Sequence, residues 1–257
     1  MKELKTKSIK MKISIFLFLG LLVFVLNTKS QIQFKEHTIV SRDFNTKGAN
    51  YVFAIDIDKD QDIDVLSASY EDGKISLFEN IGKNEFKAHI IEKFFTQANC
   101  VQAADMDSDG DMDVVASGYN RTSGITWFEN DGELNFTMHR LNSRFLGNKT
   151  LFCIDFDKDQ DIDVFYINSD DGIGWFENDG NANFEQHKLI REEINPESIY
   201  VTDIENDGDF DVIVSHTYGL CYCYINEGES NFTTKRIGSG GVSVFAADID
   251  GDGDQDV

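Results

Sequence analysis

Asp105-Met106-Asp107-Ser108-Asp109-Gly110-Asp111-Met112-Asp113-Val114-Val115 decides how this chain is read. Five carboxylates alternate with other residues over nine positions and then run straight into apolar, β-branched sequence. The same pattern begins at Asp56, Asp155, Asp203 and Asp248, so it occurs five times at intervals of 45 to 50 residues. A period of that length marks a propeller, a solenoid or an array in which one supersecondary unit has been copied.

Outward from each acidic stretch the copies continue in one order. Before it, apolar residues alternate, as in Val52 and Ala54, Val101 and Ala103, Leu151 and Cys153, Ile199 and Val201, and Val244 and Ala246. That period of two predicts a strand. After it comes a β-rich run such as Val114-Val115-Ala116-Ser117, then a turn carrying Gly73, Gly124, Gly172 or Gly219. A third strand follows, Ile75 to Asn80, Ile125 to Asn130, Ile173 to Asn178 and the divergent Cys221 to Asn226. Asn-x-Gly turns close it at Asn80, Asn130, Asn178 and Asn226, supplying residues that tolerate positive φ. A fourth strand opens at Phe86, Phe136, Phe184 and Phe232. Four short antiparallel strands per unit predict an all-β fold, a β-propeller with four complete blades over 50–98, 99–148, 149–196 and 197–241. A linear array of β-units is the alternative. Phe34-Lys35-Glu36-His37-Thr38-Ile39 matches a fourth strand with no partners before it, so 31–44 is expected to close a ring. At the other end 242–257 only begins a blade, and the sequence is expected to be a fragment.

The acidic stretch has the chemistry of a loop for a hard cation. The candidate ligand residues are Asp56, Asp58, Asp60, Asp62 and Asp64; Asp105, Asp107, Asp109, Asp111 and Asp113; Asp155, Asp157, Asp159, Asp161 and Asp163; Asp203, Glu205, Asp207, Asp209 and Asp211; and Asp248, Asp250, Asp252, Asp254 and Asp256. Carboxylates at positions one, three, five and nine can converge, with the backbone carbonyl of position seven. Converging negative charges in a partly dry loop repel strongly, and a divalent cation relieves that repulsion. Oxygen-only ligation on a flexible loop favours Ca²⁺, and the lack of His or Cys disfavours Zn²⁺. An EF-hand is excluded, because position twelve holds Ser67, Ala116, Tyr166 or Val214 instead of Glu, and the flanks read as strands. Gly110 and Gly253 at position six rank the second and fifth loops highest. Gln61 and Gln160 at that position are expected to cost strain, and Glu205 is expected to crowd the fourth loop.

These loops resemble the calcium-binding repeats of the FG-GAP family, as in the integrin α-chain propeller, and more closely its bacterial VCBS-type variants. The resemblance covers about Gln31 to Val257 and is carried best by Asp105 to Val115. It implies about seven blades in an intact protein, with calcium loops between the first two strands of a blade. The Phe-Gly and Gly-Ala-Pro signatures are missing; Ser67-Ala68-Ser69 and Ala116-Ser117-Gly118 stand near the latter.

Composition fits this reading. The chain has 257 residues, 41% of them hydrophobic, which is ordinary for a core-building protein. Its formal charge is −23, but the five loops hold 25 of its 46 carboxylates. The remaining 21 are nearly balanced by the chain's 23 Lys and Arg. Acidity concentrated in cation loops argues against nucleic acid or an anionic membrane as partner. Lys2, Lys5, Lys7, Lys10 and Lys12 precede a 14-residue apolar run, Ile13 to Leu26, and Thr28-Lys29-Ser30 offers a cleavage site. That predicts a signal peptide over 1–30 and a secreted or cell-surface protein with no membrane span after cleavage; a retained anchor is the alternative. Cys153 stands where other copies have Ala or Val, and Cys221 and Cys223 stand where they have Ile and Leu or Trp, so they read as small buried hydrophobes at core positions, which argues against disulfides. His37, His89, His139 and His187 recur at one repeat position, so they read as structural, and no catalytic group is expected. Trp127 and Trp175 fit inter-blade packing better than sugar stacking. The function expected is an exported calcium-binding scaffold for binding or adhesion, with an extracellular protein or glycan as partner. The alternative is the non-catalytic propeller portion of a secreted polysaccharide-processing enzyme.

Overall fold

The computed structural model describes residues 47–257 except 84, 143–146, 148, 170–171, 191–195, 229–230 and 240. The expected leader over 1–30 and the expected closing strand with His37 lie outside the described residues. Among the described residues sixteen strands form four separate four-stranded antiparallel sheets, each a simple meander in chain order. The first sheet comprises β1 (Ala49–Ile55), β2 (Asp64–Ser69), β3 (Lys74–Asn80) and β4 (Phe86–Glu92). The second comprises β5 (Ala98–Ala104), β6 (Asp113–Gly118), β7 (Ile125–Asn130) and β8 (Phe136–Asn142). The third comprises β9 (Thr150–Ile154), β10 (Asp163–Asn168), β11 (Gly172–Asn178) and β12 (Phe184–Ile190). The fourth comprises β13 (Pro196–Thr202), β14 (Asp211–His216), β15 (Leu220–Asn226) and β16 (Phe232–Ser239). First strands meet in succession, β1 against β5, β5 against β9 and β9 against β13. These are the blades of an all-β propeller.

Packing explains why the second strand of every blade is almost uniformly apolar. Every residue of β6 is buried. Val114 and Ala116 face the first blade, meeting Leu66, Ala68, Ile75 and Leu77. Val115 faces the other way, in a cluster with Leu151, Val164 and Tyr166 of the third blade. A strand buried on both faces loses the alternation that marks a half-exposed one. Between the third and fourth blades Phe165, Ile167 and Trp175 meet Ile199, Val212 and Val214 in the same manner. Full burial of one such aliphatic side chain contributes about 1.5 to 3 kcal/mol.

Side chains add a second seam along the first strands. Asn50 donates to Asn99, Asn99 Nδ2 donates to the Lys149 carbonyl, and Lys149 Nζ reaches Glu197 at 2.7 Å. Gln102 bridges backbones, donating to Leu151 O and accepting from Cys153 N–H. Pro196, the chain's one proline, opens β13 at a register shift, where a missing N–H costs least.

Two expected packing roles are visible. Trp127 and Trp175 are 2% and 5% exposed and stack on His139 and His187, with ring centroids 4.6 and 4.8 Å apart. Each histidine also meets a glutamate of the neighbouring strand, His139 with Glu129 and His187 with Glu177, both at 2.7 Å. His89 and Glu79 repeat that pair in the first blade. The first blade keeps the Glu–His pair but has Leu77 in place of the Trp, and the fourth replaces all three by Cys223, Ile225 and Lys235. All four cysteines are free thiols. Burial pushes Cys100 up to about 11 and Cys223 up to about 12.

Candidate metal centre

Each of the first four acidic loops joins the first two strands of a blade, the fifth is closed by an isolated Ala247–Asp256 bridge, and backbone N–H groups fold each loop around its own carboxylates. The position-one carboxylate accepts the N–H of position six, for instance Gly110 to Asp105 at 3.0 Å and Gln61 to Asp56 at 3.0 Å. Position five accepts from position seven, as Asp111 N–H to Asp109 at 2.7 Å. Position nine is the hub. Asp113 accepts Met106 N–H through one oxygen at 3.0 Å and Asn130 N–H through the other at 2.7 Å. Asp64, Asp163 and Asp211 repeat the arrangement with Asn80, Asn178 and Asn226. Those asparagines, each the last residue of a third strand, also donate Nδ2 to the position-eight carbonyl, as Asn130 does to Met112. Hairpin and loop are thereby clamped together. The sequence signal for this clamp is the Asn that ends each third strand, there read only as a turn residue.

The carboxylates at positions one, three and nine converge in four loops. Asp56, Asp58 and Asp64 form one set; Asp105, Asp107 and Asp113 a second; Asp155, Asp157 and Asp163 a third; Asp248, Asp250 and Asp256 a fourth. In each set the potential ligand oxygens lie within 4.8 Å of one another. The fourth loop, Asp203, Glu205 and Asp211, forms no such set among the described residues, in line with the longer Glu205 side chain. Asp60, Asp109, Asp159 and Asp252 at position five belong to no set; one oxygen of each accepts the position-seven N–H. Asp207 does the same in the fourth loop. Position seven points elsewhere. A methyl group built on Gly132 or Gly180 would collide with the Asp111 or Asp161 carboxylate, which places these side chains over the Asn-x-Gly hairpin. Asp62, Asp209 and Asp254 likewise belong to none of the sets.

Electrostatics marks the hub. Asp64, Asp113 and Asp163 are fully buried, and Asp211 is 1% exposed. Burial outweighs their N–H donors and raises all four carboxyls, Asp113 to about 6 and Asp163 to about 7. Asp58, Asp107 and Asp157 are raised by the same desolvation.

A divalent cation fits this donor set. In the first three loops one buried oxygen of the position-one carboxylate, Oδ1 of Asp56, Asp105 and Asp155, has no hydrogen-bond donor. A buried carboxylate oxygen left without a partner costs several kcal/mol unless a cation supplies one. The other two loops differ. Asp203 Oδ1 accepts Asp207 N–H at 3.2 Å, and Asp248 Oδ1 accepts Gly251 N–H at 2.7 Å. The expected ranking put the second and fifth loops first on their glycines; this geometry instead groups the first three.

The glycine argument itself has a structural counterpart. Position six has positive φ in all five loops, from 76° at Gln61 and 83° at Gln160 to 99° at Gly208. Position four is also left-handed, at Lys59, Ser108, Lys158, Asn206 and Gly251, which the varied residue types there concealed. Left-handed backbone costs a side-chain-bearing residue about 1 to 2 kcal/mol, partly offset by the greater unfolded-chain entropy of glycine. Gln61→Gly and Gln160→Gly are each expected to raise stability by about 0.5 to 1 kcal/mol, measured as the urea midpoint in chelator.

Fold and loops together define a repeat propeller with acidic loops between the first and second strands of its blades. An FG-GAP-like repeat model matches residues 56–116, 155–214 and 203–257, and the chain belongs to that family. No curated protein matches the chain. Among solved structures it is similar to a lectin from Agrocybe aegerita that specifically recognises non-reducing terminal N-acetylglucosamine, with a TM-score of 0.53 and 17% identity over 73% of this chain and 52% of the lectin. It is also similar to BBS1N in complex with ARL6DN, with a TM-score of 0.52 and 13% identity over 76% of this chain and 56% of BBS1N. The chain thus spans about half the length of each. Likeness at these identities concerns the fold alone.

Proposed function

We propose that this protein is an exported, calcium-stabilised β-propeller that serves as a binding or adhesion scaffold without catalysis of its own. The observation that carries the calcium reading is the orphaned, buried oxygen of Asp56, Asp105 and Asp155, each beside two further carboxylates. Hard oxygen donors on loops that bring several carboxylates and carbonyls together suit Ca²⁺ better than Mg²⁺ or Zn²⁺. The metal would neutralise the repulsion within each loop and so stabilise the blade that carries it. Calorimetric titration of the intact protein with Ca²⁺ is expected to show binding, and chelation to lower the melting temperature. No heat at millimolar Ca²⁺ and an unchanged melt would sink the reading.

A glycan is the ligand class to test first. On the face opposite the acidic loops, an open cleft of about 480 Å³ lies between the β2–β3 turn and the connector to the second blade. Tyr70 and Phe94 line it beside Glu71, Asp72, Lys93 and Gln97, and Phe94 is 78% exposed. Exposed aromatic rings beside hydrogen-bonding groups suit a sugar, whose apolar face stacks while its hydroxyls are bonded. The likeness to a lectin points the same way. Binding on a glycan array that is lost in Phe94→Ala supports this reading; retained binding in that variant places the ligand elsewhere.

A further inference from the structure

The acidic loops touch one another through position four, whose residue type varies from copy to copy. Lys59, at position four of the first loop, donates to the Gly110 carbonyl and meets Asp111 at 3.1 Å in the second loop. Lys158, at position four of the third, meets Asp209 at 3.2 Å in the fourth and lies over the Phe210 ring. Asn206, at position four of the fourth, meets Asp254 at 3.1 Å and the Gly253 carbonyl at 3.4 Å in the fifth. Each contact therefore lands on the position-seven carboxylate of the next loop, and Lys59 and Asn206 also reach its position-six carbonyl. The left-handed backbone at position four, φ 62° at Lys59, 65° at Lys158 and 57° at Asn206, sends these side chains across the blade boundary. Ser108 has the same backbone, φ 59°, but a side chain too short to span the gap.

We propose that Lys59, Lys158 and Asn206 are latches that fix the position-six-to-seven peptide of the following loop and so couple the cation affinities of neighbouring loops. The coupling runs in two groups, loops one and two, and loops three, four and five, with a break at Ser108. It rests on the calcium reading above, because the carbonyl of position seven is the donor the latch would orient. Cation binding at one loop orders its own position four, and that residue orders the carbonyl donor of the next. Asp111, Asp209 and Asp254 would then serve as latch acceptors instead of cation ligands.

The sign of the effect separates positioning from plain charge. Removing a lysine near a cation site raises cation affinity if charge alone matters, since like charges repel. Removing a latch lowers it. In chelator, Lys59→Met is expected to speed amide exchange in the segment 105–113 by about three- to tenfold, the worth of one hydrogen bond and an exposed ion pair, while leaving 155–163 unchanged. Lys59→Arg should restore protection. Ser108→Lys should slow exchange in 155–163 by installing the missing latch. With Ca²⁺ alone as probe, Lys59→Met should weaken binding at the second loop by a similar factor. Unchanged exchange in Lys59→Met, or tighter Ca²⁺ binding, overturns the latch. If the unaltered chain takes up no Ca²⁺, the calcium reading and the coupling fall together, whereas exchange still decides whether the blades are latched.

Discussion

Asp113→Ala is expected to destabilise the protein by about 3 to 5 kcal/mol, far more than any other single carboxylate change in that loop, even in chelator. Each oxygen of this buried side chain accepts a backbone N–H, from Met106 at the loop's start and from Asn130 at the hairpin. Deleting it strands two buried donors, and each costs about 1 to 3 kcal/mol. Asp111→Ala in the same loop removes a half-exposed carboxylate in an exposed ion pair, a change worth under about 1 kcal/mol. Urea unfolding of both variants measures the contrast. Equal losses would mean that position nine is not the hub of the loop.

The second large effect concerns pH. Burial holds Asp163 at about 7 and Asp113 at about 6, above the ordinary 3.8 of a free Asp. A carboxyl whose folded value is raised binds its proton more tightly when folded, so its contribution favours the native state at low pH and is lost as pH rises through the folded value. Between pH 5 and pH 8 the two groups together remove roughly 4 kcal/mol from the chelated protein. Bound calcium, as proposed, would reverse the trend, because ligands must be deprotonated to bind and stabilisation by metal grows with pH. Chemical unfolding at pH 5 and pH 8, with and without Ca²⁺, should give slopes of opposite sign. Asp163→Asn should flatten the chelated slope; a slope unaltered in that variant would assign it to the overall negative charge.

Much of the fold was legible because the repeat writes its own boundaries. Period-two alternation in β5, the Asn-x-Gly turn after Asn130 and the Phe that opens β8 each had a local physical cause in the sequence. The continuous apolar run in β6 was read as β-rich but not as buried on both faces, since burial against two neighbouring blades is a tertiary fact. In the acidic loops, spacing picked out the candidate carboxylates but not their division of labour. Asp111 and Asp113 are two apart and chemically identical, yet one leans over a hairpin glycine and the other is buried under it. Only side-chain direction separates them. The left-handed position four escaped notice because Lys59, Ser108, Lys158 and Asn206 share no residue preference; their backbone is dictated by the N–H bonds around them.

The four free thiols have a use that their burial creates. A thiol held near 11 or 12 is almost wholly protonated at neutral pH, and the thiolate is the species that reacts. Burial raises the other two thiols as well, so alkylating reagents are expected to modify these cysteines faster once their surroundings open. Cys100 and Cys153 lie on the first strands of the second and third blades, Cys221 and Cys223 on the third strand of the fourth. Each pair is an internal stopwatch for its own blades, and the order in which the pairs become labelled will tell which blades come apart first.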